Sequence, residues 1–220
     1  MINHKPNAIG FLGGTFDPIH FGHLRPALEI QQALNLQALY LMPNYIAPHK
    51  TTSLASAEQR IDMVKLAIKT TPHLQLTTQE LLRDTPSYTI DTLKLLRQQS
   101  PDTPICFIMG MDSLIHFDTW YQYQDILKYC HLVISHRPGW TPVFNKVVDG
   151  LVNLHQVHNP ALLHQTLAGC IYFQSTSQLA ISSSHIRDLL AENQAIDFLT
   201  PQSVCDYIKE NNCYKESIKS

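Results

Sequence analysis

The chain has 220 residues, 44% hydrophobic, 15% charged and 9% aromatic, with 16 basic against 18 acidic side chains and a formal net charge of −2. That length holds one large or two small domains and buries about 70% of the unfolded surface without staples. The absence of a basic excess argues against a general nucleic-acid or membrane-surface binder, but not against a compact anion site.

Ala8 to Leu12 reads as a buried strand, too short for a secretory leader. Leu24, Ala27, Leu28 and Leu34 place apolar groups on one helical face. A second strand, Ala38 to Met42, is stopped by Pro43-Asn44. Ser56 to Lys69 is helical, Leu74 to Thr78 a third strand, and Ile90 to Gln98 a helix. Ile105 to Met109 is a fourth strand ending at Gly110, and Tyr123 to Tyr129 a short helix. Leu132 to Ser135 is a fifth strand, closed by Arg137-Pro138-Gly139, and Ile171 to Phe173 is a candidate sixth. Helices over Ser184 to Asn193 and Pro201 to Asn211 finish the pattern. Residues 140–169 read as an insertion or a long connection within one domain spanning 1–220. Strands alternating with helices predict an α/β fold: a Rossmann-like, doubly wound parallel sheet with helices on both faces and a helical C-terminal end. Ligands on such sheets bind at the carboxyl ends of the strands, near the switch point.

Five cysteines, none in C-x-x-C spacing, support neither a zinc site nor a disulfide framework. No apolar stretch approaches the ~20 residues of a membrane span. A cytoplasmic protein with reduced thiols is therefore expected. There is no G-x-x-x-x-G-K-[ST], no G-x-G-x-x-G and no G-x-S-x-G, so Walker-type phosphate binding, the dinucleotide fingerprint and the nucleophile elbow are unsupported.

The chemistry sits in strings that follow the strands. After the first comes Gly13-Gly14-Thr15-Phe16-Asp17-Pro18-Ile19-His20-Phe21-Gly22-His23. Glycines at a strand end admit a ligand close to the backbone. Two imidazoles three residues apart at a helix start, with free N–H groups and the positive dipole end, describe an anion site. The bland reading is a glycine turn with two surface histidines. After the second strand, Pro43 to Lys50 is a loop stiffened by its two prolines that passes Asn44 and ends in a His-Lys pair able to reach a phosphate; it also reads as an ordinary polar loop. After the fourth, Gly110-Met111-Asp112 offers a carboxylate to ribose hydroxyls or a metal, or merely a helix cap. Ser182-Ser183-Ser184 with Arg187 combines hydroxyls, helix N–H groups and a guanidinium: a phosphate seat, or a plain serine cap at Ser184 with a solvated Arg. Tyr88-Thr89-Ile90 opens a helix with free N–H groups, and Trp120-Tyr121 lies in a polar segment. An aromatic face beside N–H donors suits a ring bearing a carboxylate; packing of a half-buried Trp120 is the plainer reading.

Together these strings resemble the nucleotidyltransferase superfamily with the His-x-Gly-His signature. Within it, the strings at Pro43 to Lys50, Ser87 to Thr92, Gly110 to Leu114 and Thr119 to Tyr121 are similar to the bacterial nicotinate-nucleotide adenylyltransferase family. The resemblance runs from about Ala8 to about Asn211. One small departure is Ser184, where the family often has Thr; the hydroxyl survives. The resemblance implies adenylyl transfer from ATP to nicotinate mononucleotide, giving nicotinate adenine dinucleotide and pyrophosphate in NAD synthesis. It implies Mg²⁺ bound through the ATP phosphates, with no protein ligand assigned.

It also implies roles. His20 and His23 contact the ATP phosphates, Ser183, Ser184 and Arg187 hold the triphosphate, and Gly13, Gly14, Thr15 and Phe16 let the nucleotide lie on the strand end. Gly110 and Asp112 lie near its ribose. Lys50 and Arg137 bind the mononucleotide phosphate, with Asn44 beside them. Trp120 stacks on the pyridine, and N–H groups near Tyr88, Thr89, Ile90 and Tyr121 bind its carboxylate. His20, His23, Lys50 and Arg187 form the catalytic set. Partners are small molecules, neither nucleic acid nor membrane, and self-association is left open. Another adenylyltransferase of the superfamily, such as one acting on phosphopantetheine, or a nucleotide-binding regulator without turnover, are the alternatives.

Overall fold

Alternating side chains on five of the strands face two separate cores, and this two-sidedness sets the architecture. The computed structural model describes residues 7–44, 54–81, 88–137, 139 and 142–214. Strands β1 (Ile9–Gly14), β2 (Leu39–Pro43), β3 (Leu74–Leu76), β4 (Ile105–Gly110), β5 (His131–His136) and β6 (Ile171–Ser175) form one sheet in the order β3-β2-β1-β4-β5-β6. Every pairing is parallel. The doubly wound expectation holds, with the strand order reversing between β1 and β4.

Period-two alternation sorts the side chains. Cys106 and Ile108 of β4 and Val133 of β5 enter one core, with helices α1 (Phe21–Ala33), α2 (Ala57–Ile68), α8 (Ser183–Ala191) and α9 (Gln202–Glu210). Phe107 and Met109 of β4 and Leu132 and Ile134 of β5 enter the other. That face is covered by α3 (Thr89–Gln99), α4 (Met111–Ile115), α5 (Tyr123–Ile126) and α6 (Lys146–His155). A sheet buried on both faces needs near-continuous apolar strands, as these are.

Several boundaries shift by one to three residues from the sequence reading, and two helix caps differ. Helix α8 starts at Ser183, and its cap is the Ser182 hydroxyl, which accepts from the His185 N–H at 3.1 Å, not Ser184. A cap must itself be extended, and Ser182 is, at φ −129° and ψ 151°. Asp112 is not a cap either; Gly110 is the extended residue before α4, and Asp112 lies in its first turn.

Of the stretch 140–169, the described residues 142–169 lie between β5 and β6 and carry α6 and the short α7 (Leu162–Gln165). Its histidines and carbonyls close the lower edge of the sheet. Ala8 N–H donates to His164 Nδ1 at 3.0 Å while His164 Nε2 donates to the Leu34 carbonyl at 2.9 Å. His131 Nε2 donates to the Thr166 carbonyl, and His131 Nδ1 accepts from the Cys170 N–H. The Arg97 guanidinium donates to the carbonyls of Ser100, Thr103, Tyr129 and Leu167, all within 2.9 Å. One side chain thus satisfies loops that follow α3, α5 and α7.

Arg97→Ala should leave those carbonyls unpaired and cost about 3 kcal/mol of stability. Turnover at a temperature well below melting should be unchanged, since Arg97 lies at the opposite edge from the strand ends described next. Urea denaturation beside initial rates checks both.

Candidate active site

The carboxyl ends of β1 and β4 part at the reversal of strand order, and two cavities open over them. The larger, about 520 Å³, is lined by Gly13, Gly22, His23, Gly110, Asp112 and Arg137 among others. The smaller, about 220 Å³, is lined by Gly13, Asn44, Glu80, Thr89, Gly110 and Trp120 among others. They share Leu12, Gly13, Ile108, Met109 and Gly110 as a common floor. Gly110 matters here because a Cβ there would meet nothing within 4 Å; it would project into the open crevice.

The loop from β1 to α1 is buried, with Phe16, Asp17, Ile19 and His20 all shielded from solvent. A buried loop must have its carbonyls satisfied from elsewhere. Arg60, 1% exposed, donates to the Thr15 carbonyl and to the Asn44 carbonyl, both at 2.8 Å. Arg187 donates to the Asp17 carbonyl at 2.6 Å, the Ser183 hydroxyl to that of Pro18 at 2.9 Å, and the Thr200 hydroxyl to that of Ile19 at 2.7 Å. The Asp17 carboxylate accepts from the N–H groups of Leu54 and Ala55 and from the Tyr214 hydroxyl.

That clamp fixes the imidazoles. His20 is the extended residue before α1, and His23 is in its first turn. Their rings stack at 3.8 Å between centroids and 28° between planes. Phe16 meets His23 edge-on from below at 5.1 Å. Gly22 between them has a steric reason: a Cβ would sit 2.9 Å from the His20 ring and 2.9 Å from the Ile181 carbonyl. The lead-in to α8 therefore packs directly on the start of α1. Burial pulls His20 from 6.5 down to about 4, so it is neutral at pH 7. Its Nδ1 is buried without a hydrogen-bond partner among the described residues. A buried, unpartnered ring nitrogen at a helix start fits an anion brought by a ligand.

At the smaller cavity, α3 begins at Thr89 with no side-chain cap among the described residues, which suits its first N–H groups to a ligand. Trp120 packs against Phe117 at 5.4 Å and Phe107 at 6.3 Å and completes the wall. Tyr88 and Tyr121, both exposed, pair at 4.8 Å beside it.

The sequence matches the cytidylyltransferase-like family over residues 11–189. A protein of Psychromonas ingrahamii named "probable nicotinate-nucleotide adenylyltransferase" is 63% identical over 96% of this chain and 99% of its own. One of the same name from Aeromonas salmonicida is 48% identical over 94% and 97%. This chain belongs to that adenylyltransferase family. Plasmodium falciparum nicotinic acid mononucleotide adenylyltransferase, complexed with NaAD, shares the fold: TM-score 0.72 at 19% identity, covering 94% of this chain and 97% of that one.

In this adenylyltransferase the site residues expected from sequence fall into three groups. Gly13, His23, Gly110, Asp112 and Arg137 line the larger cavity; Gly13, Asn44, Thr89, Gly110 and Trp120 line the smaller. Arg137 is thus on the opposite side of the floor from Trp120. Gly14, Thr15, Phe16, His20, Ser183, Ser184 and Arg187 build the clamped loop and the helix start behind it. Tyr88 and Tyr121 flank the smaller cavity, and Ile90 turns its side chain into the core. Lys50 lies outside the described residues. Sequence reasoning assigned no role to Asp17, Arg60 or Tyr214. Only Asp17 carried a signal, its place inside the motif.

The His20 imidazole has a pH consequence. Its value is about 4 folded and 6.5 unfolded, so between those values the unfolded chain binds the extra proton. Its contribution to stability is whole above pH 6.5 and is lost as pH falls through about 4. Between pH 7 and pH 4 wild type should lose up to about 3 kcal/mol more than His20→Asn. Urea titrations of both proteins at the two pH values check this; equal losses would contradict a buried neutral imidazole.

Proposed function

We propose that this protein joins ATP to nicotinate mononucleotide, forming nicotinate adenine dinucleotide and releasing pyrophosphate. The observation that carries the reading is the shared floor: two cavities, one beside the imidazole pair and one beside Trp120 and the start of α3, meet over Gly13 and Gly110. ATP occupies the larger and the pyridine the smaller, so that the mononucleotide phosphate and the ATP α-phosphate meet between them.

The attacking oxygen belongs to a phosphate monoester, already largely ionised near pH 7 because its second pKa is about 6. It forms the new bond to the α-phosphorus as the bond to the bridging α–β oxygen breaks, and pyrophosphate leaves. No general base and no covalent enzyme intermediate are needed; alignment and charge neutralisation do the work. His20 and His23 donate to the phosphates, and the incoming negative charge raises the proton affinity of the buried His20. Arg187, held to the Asp17 carbonyl by one nitrogen, presents its remaining donors to the triphosphate. Lys50 is proposed for the mononucleotide phosphate, and Arg137, from its place in the larger cavity, for the phosphates that meet there.

Among the described residues no group of three or more His, Cys, Asp or Glu is placed to hold a metal ion. Mg²⁺ fits as part of the ATP complex, with Asp112 the acidic side chain among those lining the larger cavity. Such an ion neutralises phosphate charge. No helix among the described residues is long and apolar enough to cross a membrane. The five free cysteines suit a reducing, cytoplasmic setting.

Pyrophosphate release with ATP and a panel of acceptors tests the reading. Nicotinate mononucleotide should exceed nicotinamide mononucleotide by at least ~100-fold in kcat/KM, about 2.7 kcal/mol, because an amide turns its own NH₂ toward a donor. Phosphopantetheine should be inert, and equal rates on the two pyridines would refute the proposed pocket. Trp120→Ala should weaken the mononucleotide by about 1–3 kcal/mol through lost stacking, with the KM for ATP little changed.

A further inference from the structure

We infer that Tyr214 is a positioning residue for the ATP side of the site, acting through its hydroxyl on Asp17. Tyr214 lies beyond α9 and outside residues 11–189, the span that matches the family. Its hydroxyl donates to Asp17 Oδ1 at 2.7 Å across 197 residues of sequence. Asp17 is 4% exposed, and both its oxygens are engaged: Oδ2 takes the Leu54 N–H at 2.9 Å and Oδ1 also takes the Ala55 N–H at 3.1 Å. Arg187 stands 4.0 Å from Oδ2 and 2.6 Å from the Asp17 carbonyl.

The Asp17 carboxylate therefore ties the lead-in to α2 to the turn after α9, while Arg187 of α8 is bonded to the carbonyl of the same residue. His20 is three residues further along the same buried loop. Without the hydroxyl, Oδ1 keeps only the Ala55 N–H and the carboxylate is free to swing toward the Arg187 guanidinium. That guanidinium would then be drawn from the phosphates by a charge it now meets only at 4.0 Å. The phenol is suited to a permanent donor. Burial and the Asp17 charge push its pKa well above the ordinary value, so it keeps its proton throughout the working pH range. The backbone at Tyr214 is left-handed, φ 64°, a conformation costly for a bulky residue and held here by contacts of the side chain with the core.

The inference rests on adenylyl transfer only for the identity of the ligand, and the test separates the two. Tyr214→Phe keeps the ring and removes the hydroxyl. Its dissociation constant for ATP, measured by calorimetry without turnover, should rise about tenfold, with kcat/KM for ATP falling at least as far. The KM for nicotinate mononucleotide should stay within twofold. Tyr207→Phe is the control: it removes a hydroxyl from α9 that reaches Asp62 at 3.4 Å, away from the loop, and should leave both substrates unaffected. Asp17→Asn should then add less to Tyr214→Phe than it costs in the wild-type background, since the two share one bond. ATP binding within twofold of wild type in Tyr214→Phe would overturn the inference, as would equal losses for both substrates. Absence of pyrophosphate release in wild type would overturn the reaction instead, and the calorimetric comparison would still decide the role of Tyr214.

Discussion

The structure depends on holding a buried loop whose backbone has few regular partners. Between β1 and α1 the carbonyls of Thr15, Asp17, Pro18 and Ile19 accept from Arg60, Arg187, Ser183 and Thr200 in turn. Each of these donors comes from an element that the sheet alone would not bring near. A carbonyl buried without a partner costs about 1–3 kcal/mol, so loss of any one donor is felt by the loop. The consequence for chemistry is rigidity: His20 and His23 are fixed by the same bonds that keep the loop folded.

The sheet supplies the other half of the arrangement. Because β1 and β4 are neighbours with crossovers on opposite faces, the strand ends diverge and leave a floor bounded by glycines. Helix α1 starts on one side of it and α3 on the other, and both present N-termini to the crevice. Two anionic or carboxylate-bearing ligands can therefore be drawn in by separate dipole ends and meet over Gly13 and Gly110. A second wall of aromatic rings at Phe107 and Trp120, the latter backed by Phe117, makes the smaller cavity suited to a flat ring.

Much of this was legible in the chain. Short apolar runs located five strands and offered Ile171 to Phe173 as a sixth, and parallel order followed from the helices between them. The 140–169 stretch was legible only as an insertion or long connection, although its helix α6 carries local signals: an Asn145 cap that accepts from the Val147 and Val148 N–H groups, and Val148 and Val152 four apart. Three consecutive serines hid the cap because any of the hydroxyls is chemically able to serve. Ser183 was already committed to the Pro18 carbonyl, which is a tertiary fact. Arg60 and Arg97 were invisible for a related reason. On a helix each looks like a charge on a solvated face, and what distinguishes them is the set of carbonyls that distant loops bring to the guanidinium.

The clamp also accounts for the state of the imidazoles. An anion site built from exposed histidines would sit near pKa 6.5 and gain little over water for each bond. Here the loop is buried first, by donors that leave its carbonyls satisfied, and the imidazole of His20 is desolvated as a by-product, down to about 4. Folding bears that desolvation; ligand binding does not. On the proposed reading, an imidazole already stripped of water would not have to reorganise when phosphate charge develops, which is the condition for strong transition-state stabilisation. The acid-sensitivity of the fold and the strength of the proposed phosphate site are then two effects of one burial. Opening the loop to relieve the first would surrender the second.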